Sequence, residues 1–450
     1  MPPRTEKTTA LRVAVLADSD TRWKWGALTA RRLTAGDPAR RVEISGLLLR
    51  GRATPTPRQL AEVGDVGIET ARVREVTAVE FLHTVRDEGY DVVVLALVGG
   101  GVQAMLHGLA ALRLESRPAV VTGYVGVVYE KLADGLLLRH GADIVLANSR
   151  HDADRFRAVY EGVGADASAV TEAALPFLGG APHTPEPGRD TVVFAAQPSV
   201  PASRADRTYL LRRLVEHARL HPNREVLLKL RSKPGEHTTH IEELPYQRLA
   251  ERLPGGLPPN FRLVYGHMGE VLDRTDLLVT VSSTAALESL HRRIPTAVLT
   301  DLGVREALGN HHFVGSGLLT SWDHLDGGLR PEPDPGWLAG QGVAADGTYA
   351  AAYDHARARV DALLAAGPLP ALAPYYTPAT APGYLPGILA RHHLAPDGHP
   401  LPGAGRPRET GRVRGAVREA VREAVREAAR GAYRQGVQRV APVIRRMGEL

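Results

Sequence analysis

The chain of 450 residues contains no cysteine. That absence excludes disulfides, thiolate metal sites and a cysteine nucleophile together. Aromatic residues make up only 5%, too few for a base-stacking platform, so nucleic acid is not an expected partner. No window holds the roughly 20 apolar residues that a membrane-spanning helix needs. The N-terminal MPPRTEKTT runs into a strand-like segment without an apolar signal region. A cytoplasmic location is the expectation. Lysine is scarce, with 5 Lys against 50 Arg. Where a generic positive charge would serve, this chain uses arginine. Of Lys7, Lys24, Lys131, Lys229 and Lys233, the last four fall in segments expected at the cleft, which favours a particular role for a compact ammonium group there over a surface charge.

What is present is ordinary for a globular chain, 44% hydrophobic and 23% charged. At this length two domains are the default. The net charge of +5 is unevenly spread: residues 404–450 hold 12 Arg and 5 Glu, a net of +7, which leaves the rest of the chain near −2.

Apolar runs alternate with longer segments of helical period, the pattern of a parallel sheet covered on both faces. The first series is LRVAVLA (11–17), VEISGLLL (42–49), DVVVLALV (91–98), AVVTGYV (119–125) and DIVLANS (143–149). A turn-rich bridge, GGAPHTPEPGRD (179–190), leads to a second: TVVFAAQ, EVLLKLR, FRLVYG, LLVTVSS and TAVLTD. The expected fold class is α/β, with two Rossmann-like domains, a central cleft between the carboxyl ends of their strands, and a basic helical extension at the C-terminus. The expected divisions are 1–185 for an N-terminal acceptor domain, 186–345 for a nucleotide-donor domain, 346–403 for a closing helix with a proline-rich segment, and 404–450 for the basic tail.

The segment VTVSSTAALESLHRRIPTAVL (279–299) carries the most chemistry. A buried strand ends in Ser282, Ser283 and Thr284, which open a helix with Glu288 in its second turn. Free amides and hydroxyls at such a helix start suit a donor phosphate, and Glu288 is placed to accept from ribose hydroxyls. The alternative is that a serine merely caps the helix. Lys229 and Arg231, at i and i+2 on a strand end, can neutralise the charge that gathers on a departing nucleotide phosphate. Gln197 closes its strand before Pro198, either as a ligand of the donor base or phosphate or as a turn residue.

The combination of FAAQPSVP, LLKLRSKPGE and TVSSTAALESL...IPTAVLTDLGV resembles an actinobacterial family of glycosyltransferases. More distantly it is similar to the bacterial sialyltransferases, polysialyltransferases and teichoic-acid glycerophosphotransferases. The likeness covers roughly residues 10–340 and is strongest over 191–317. It implies a GT-B-like transferase in which Ser282, Ser283 and Thr284 bind donor phosphate while Lys229 and Arg231 offset the leaving charge. The His-Pro pair of the sialyltransferases has no match at that place, because His221-Pro222 precedes its strand.

The acceptor needs a general base from the N-terminal domain. In ADSDTRWKWG, after the first strand, Asp18 and Asp20 stand beside Trp23, Lys24 and Trp25. Carboxylates that hold hydroxyls and indole faces that pack on a ring suit a sugar acceptor, although one aspartate can instead cap a helix beginning near Arg22. Glu130 in GYVGVVYEK is the other candidate base. The expected activity is metal-independent transfer of a sugar from a nucleotide-activated donor to a cell-envelope glycan or lipid-linked acceptor, with no cofactor. The alternatives are a CDP-alditol phosphotransferase and a non-catalytic nucleotide-binding or interaction protein.

Other patterns carry less. Gly99, Gly101 and Ala104 fit a dinucleotide fingerprint but follow a late strand, and Glu115 comes too early for the ribose acid. His311-His312, His392-His393 and His237 with His240 lack partner ligands for a metal. The tail nearly repeats V-R-E-A and suggests a helix over 413–440, ended by Pro442. Through 411–447 it is open to three readings: contact with an anionic membrane surface at the inner face of the cell membrane, helix pairing, or a solvated extension.

Overall fold

The computed structural model describes residues 10–36, 40–51, 53–63, 66–68, 72–126, 131–231, 233, 244–343 and 348–403. The first series of strands forms a seven-stranded sheet: β1 (Leu11–Ala17), β2 (Val42–Leu49), β3 (Arg74–Val76), β4 (Val92–Ala96), β5 (Ala119–Gly123), β6 (Ile144–Ala147) and β7 (Val170–Glu172). Its order is β3-β2-β1-β4-β5-β6-β7, and every pairing is parallel. The second series forms a six-stranded sheet from β8 (Thr191–Ala195), β9 (Glu225–Lys229), β10 (Phe261–Val264), β11 (Leu277–Thr280), β12 (Thr296–Leu299) and β13 (Leu319–Thr320). It is also all parallel, in the order β10-β9-β8-β11-β12-β13. Both are doubly wound Rossmann-like sheets, and together they make the GT-B-like arrangement that the sequence implied.

The apolar runs form these strands because a parallel sheet covered on both faces buries every position. β4, β5 and β6 are buried throughout. The additional strands β3, β7 and β13 are edge strands of three, three and two residues, too short to show a period.

In each sheet the strand order reverses once, between β1 and β4 and between β8 and β11. Those two points are where open α/β sheets leave a crevice at their carboxyl edge. The bridge after β7 is tied to the second sheet. Asp276 accepts from His183 and Arg189 and from the Thr191 amide, while Leu175 and Leu178 pack against Ala286, Leu287 and Leu290.

After β13 the chain returns to the first sheet. The helix Asp354–Ala365 follows Tyr353, and Tyr353, Ala356 and Val360 join the core that holds Trp23 and Trp25. Tyr353 Oη donates to the Ala174 carbonyl at 2.7 Å. The helix Leu385–Arg391 packs on the helix Gly99–Ala111. The sheets and these returning segments make one compact unit that ends at Pro402. The basic tail, with its expected helix, membrane contact or pairing, lies outside the described residues. No helix among the described residues is long and apolar enough to cross a membrane.

Candidate active site

The carboxyl edges of the two sheets line one cavity of about 590 Å³. Asp20, Lys24, Gln197, Lys229, Arg231, Ser282, Ser283, Thr284 and Glu288 all border it.

The first wall is the opening of the helix Asp20–Thr34. Ser19 caps it, its hydroxyl accepting from the Arg22 amide at 3.4 Å, so the cap is a serine and not one of the aspartates. Starting the helix at Asp20 sets the fate of its neighbours through the 3.6-residue period. Asp20 and Lys24, at i and i+4, share the cleft face. Trp23 and Trp25 turn into the core, 2% and 1% exposed, against Gly46 and Gly123 respectively. Their expected role as an acceptor platform is therefore corrected: both indoles are consumed by packing. Asp18 is corrected too. One of its oxygens takes Arg22 at 2.8 Å and the other the Val98 amide at 2.9 Å, so it fastens the end of β1 to the end of β4 and does not border the cavity. Glu130 lies outside the described residues.

The second wall carries cations. Lys229 ends β9, 8% exposed, with its ammonium donating to the Leu230 carbonyl at 2.8 Å. Two residues on, Arg231 crosses to the first wall and donates to Asp20 at 2.6 Å and to the Thr21 hydroxyl. Burial alone would raise the Asp20 pKa. The Arg231 charge and hydrogen bond outweigh it, with help from Thr21, and the carboxyl titrates below its ordinary range.

The turn after β11 differs from the expected phosphate cradle. Ser282 is 2% exposed; its hydroxyl donates to the Leu308 carbonyl and accepts from Gln197 Nε2 at 3.1 Å, while its backbone amide donates to Gln197 Oε1 at 3.0 Å. Ser282 thus spends its hydroxyl and amide protons joining the ends of β8 and β11, which corrects its assignment as a direct donor ligand, while Gln197 holds it there and still lines the cavity. The amides of Ser283, Ala285, Ala286 and Leu287 also donate within the protein. The helix Ala285–His291 has only seven residues. The Ser283 and Thr284 hydroxyls line the cavity here, with the cations beside them. Thr284 Oγ1 faces the first sheet so closely that a Cβ on Gly126 would stand 2.8 Å from it.

Glu288 lies one turn deeper. Burial raises its pKa above the ordinary carboxylate range despite the opposing pull of Lys24, Arg292 and Lys229. Lys24, expected on the acceptor side, is thus within electrostatic reach of the opposite wall, and its ammonium sits 5.0 Å from the Phe177 ring centroid.

A model of the DUF6716 family, described as a putative glycosyltransferase, matches residues 13–363. The chain belongs to this family. No curated protein matches its sequence. Among solved structures, a putative UDP-N-acetylglucosamine 2-epimerase from Listeria monocytogenes is 12% identical, covers 71% of this chain and 87% of its own, and has a TM-score of 0.48. Anabaena HepE, determined in complex with UDP and glucose, is 14% identical over 79% of this chain and 98% of its own at a TM-score of 0.46. The glycosyltransferase SnogD from Streptomyces nogalater is 16% identical over 80% and 96% at 0.39. These are likenesses of fold.

For a member of this family the cavity also holds groups that sequence reasoning passed over: Thr21, Arg22, Tyr124, Phe177, His267 and Glu306. His267 had a usable signal, since it follows β10 as Lys229 ends β9, at the same sheet edge. Its ring is held below the ordinary imidazole value by burial first and then by Lys24, Arg292 and Lys229, with Glu270 opposing. Phe177 had none, because it reaches the cleft only through the folding of the bridge. Away from the cleft, the group among the described residues close enough to hold a metal ion is His217, His221 and Asp326. There Arg224 already donates to His217 at 2.8 Å and Arg213 to Asp326 at 2.9 Å, which makes it a hydrogen-bonded ion network.

Proposed function

We propose that the chain transfers a sugar from a nucleotide-activated donor to a cell-envelope glycan or lipid-linked acceptor, without a metal. The observation that carries this reading is the set of cations from both sheets, Lys24, Lys229 and Arg231, converging with the Ser283 and Thr284 hydroxyls on one cavity at the two points where strand order reverses. In this reading the cations hold the donor phosphate and stabilise the charge that grows on it, which lowers the barrier because the attraction is strongest in the transition state. Glu288 accepts from the ribose. Asp20 takes the proton of the acceptor hydroxyl as that oxygen bonds to the anomeric carbon. The bond from this carbon to the donor phosphate oxygen breaks, and its electron pair leaves with the nucleotide. The likeness to sialyltransferases and glycerophosphotransferases rests on the quoted motifs.

The test is turnover with UDP-, GDP- and CMP-sugars and CDP-glycerol. One sugar donor should release free nucleotide, undiminished by a chelator, and Lys229→Ala should slow the release by about 10²-fold or more. Release from CDP-glycerol alone would make the chain an alditol phosphotransferase. Tight nucleotide binding with no turnover of any donor would make it a binding protein.

A further inference from the structure

Asp20 and Arg231 come from opposite sheets, 211 positions apart in the chain, yet each is the other's ion partner across the cleft, at 2.6 Å and with side chains 18% and 29% exposed. Among the described residues Asp20 otherwise bonds only its neighbour Thr21. Arg22 and Asp18 of the same turn pair with each other at 2.8 Å.

We propose that this pair is a latch opened by the donor: phosphate and Asp20 compete for the Arg231 guanidinium, and donor binding is what frees Asp20 to serve the acceptor. The inference rests on the donor-phosphate reading given above. A guanidinium presents a planar fork that matches a carboxylate or a phosphate equally well in shape, and a donor with a diphosphate brings more charge to it than the carboxylate does. While Asp20 holds Arg231 it is a poor base, since its charge is already satisfied. Once the phosphate takes Arg231, the charge that outweighed burial at Asp20 is withdrawn, and the carboxylate gains proton affinity as the acceptor needs it. The order of events follows: donor first, acceptor activation second.

Inorganic pyrophosphate tests this without knowledge of the base or the sugar. Its affinity is measured by calorimetry on the full chain, as wild type, Asp20→Asn, Arg231→Gln and the double variant. Removing the competing carboxylate should tighten pyrophosphate binding about fivefold, the scale of a partly exposed ion pair. In the Arg231→Gln background the gain should vanish, because Asp20 acts through Arg231. Asp20→Ala repeats the comparison without an amide that could still hold the guanidinium. A gain that persists without Arg231 is a general charge effect and overturns the latch, as does unchanged or weaker binding by both Asp20 variants. In those cases the donor-phosphate reading stands. Failure of pyrophosphate to bind either wild type or Asp20→Asn would remove that reading, and the latch with it.

Discussion

Trp23, Lys24 and Trp25 are adjacent in sequence and do different work. The two indoles fill the core and the ammonium reaches the cleft, because a helix sends neighbouring side chains about 100° apart around its axis. Residue types suited to a sugar therefore did not identify residues that could touch one. A similar distinction governs His312. It is 8% exposed, and His151, Phe313 and Trp337 surround it. Burial pushes its pKa down to about 4, with the charges of His151, Arg155 and His311 adding to the effect. Between the ordinary imidazole value and about pH 4 the unfolded chain therefore binds a proton that the folded chain does not. Stability is fully present above the ordinary value and falls as the pH drops through that window. His312→Leu should flatten this fall by up to about 1.4 kcal/mol per pH unit, read from denaturant midpoints between pH 7 and 4.5. His217, also pushed down to about 4 by burial, keeps part of the slope in the variant. An unchanged slope would assign the acid sensitivity elsewhere.

Among the elements, the helix Asp20–Thr34 decides the most. It carries Asp20, Thr21 and Lys24, and its height above the sheet is set by Gly26, where a Cβ would stand 2.8 Å from both Ala96 Cβ and Val15 Cγ1. Those atoms belong to β1 and β4 and have little room to yield. Gly26→Ala should cost about 1–3 kcal/mol in stability and lift the helix from the sheet. A lowered thermal midpoint together with slower nucleotide release would show that helix height positions the site. A lowered midpoint with full turnover would separate the two. The strands were legible in the sequence because a buried parallel strand is a local apolar run, as in TVVFAAQ and DVVVLALV. The turn at Ser282 was only partly legible. Its position at a strand end was readable, but its bonds to Gln197 and Leu308 depend on distant segments meeting there.

At the scale of the whole molecule, the family match ends at residue 363, and helices beyond β13 close the first sheet. Residues 404–450 carry a net +7, against about −2 for the rest of the chain. Removing the tail should leave donor turnover intact and abolish cosedimentation with phosphatidylserine vesicles at low salt, since each Lys or Arg near such a surface contributes about 1 kcal/mol. Equal sedimentation of the full and shortened chains would end the membrane reading of the tail.

By itself the sequence determined two Rossmann-like sheets, their order along the chain, and the strand ends where the candidate site residues stand. Hydrophobic period and chain direction are local properties, so they can be read one segment at a time. The tertiary structure alone decided which of those residues face the cleft, that Asp18, Gln197 and Ser282 are fasteners, and that Asp20 meets Arg231 from the other sheet. Such pairings depend on where the edges of two sheets come to face each other, and no local pattern carries that distance.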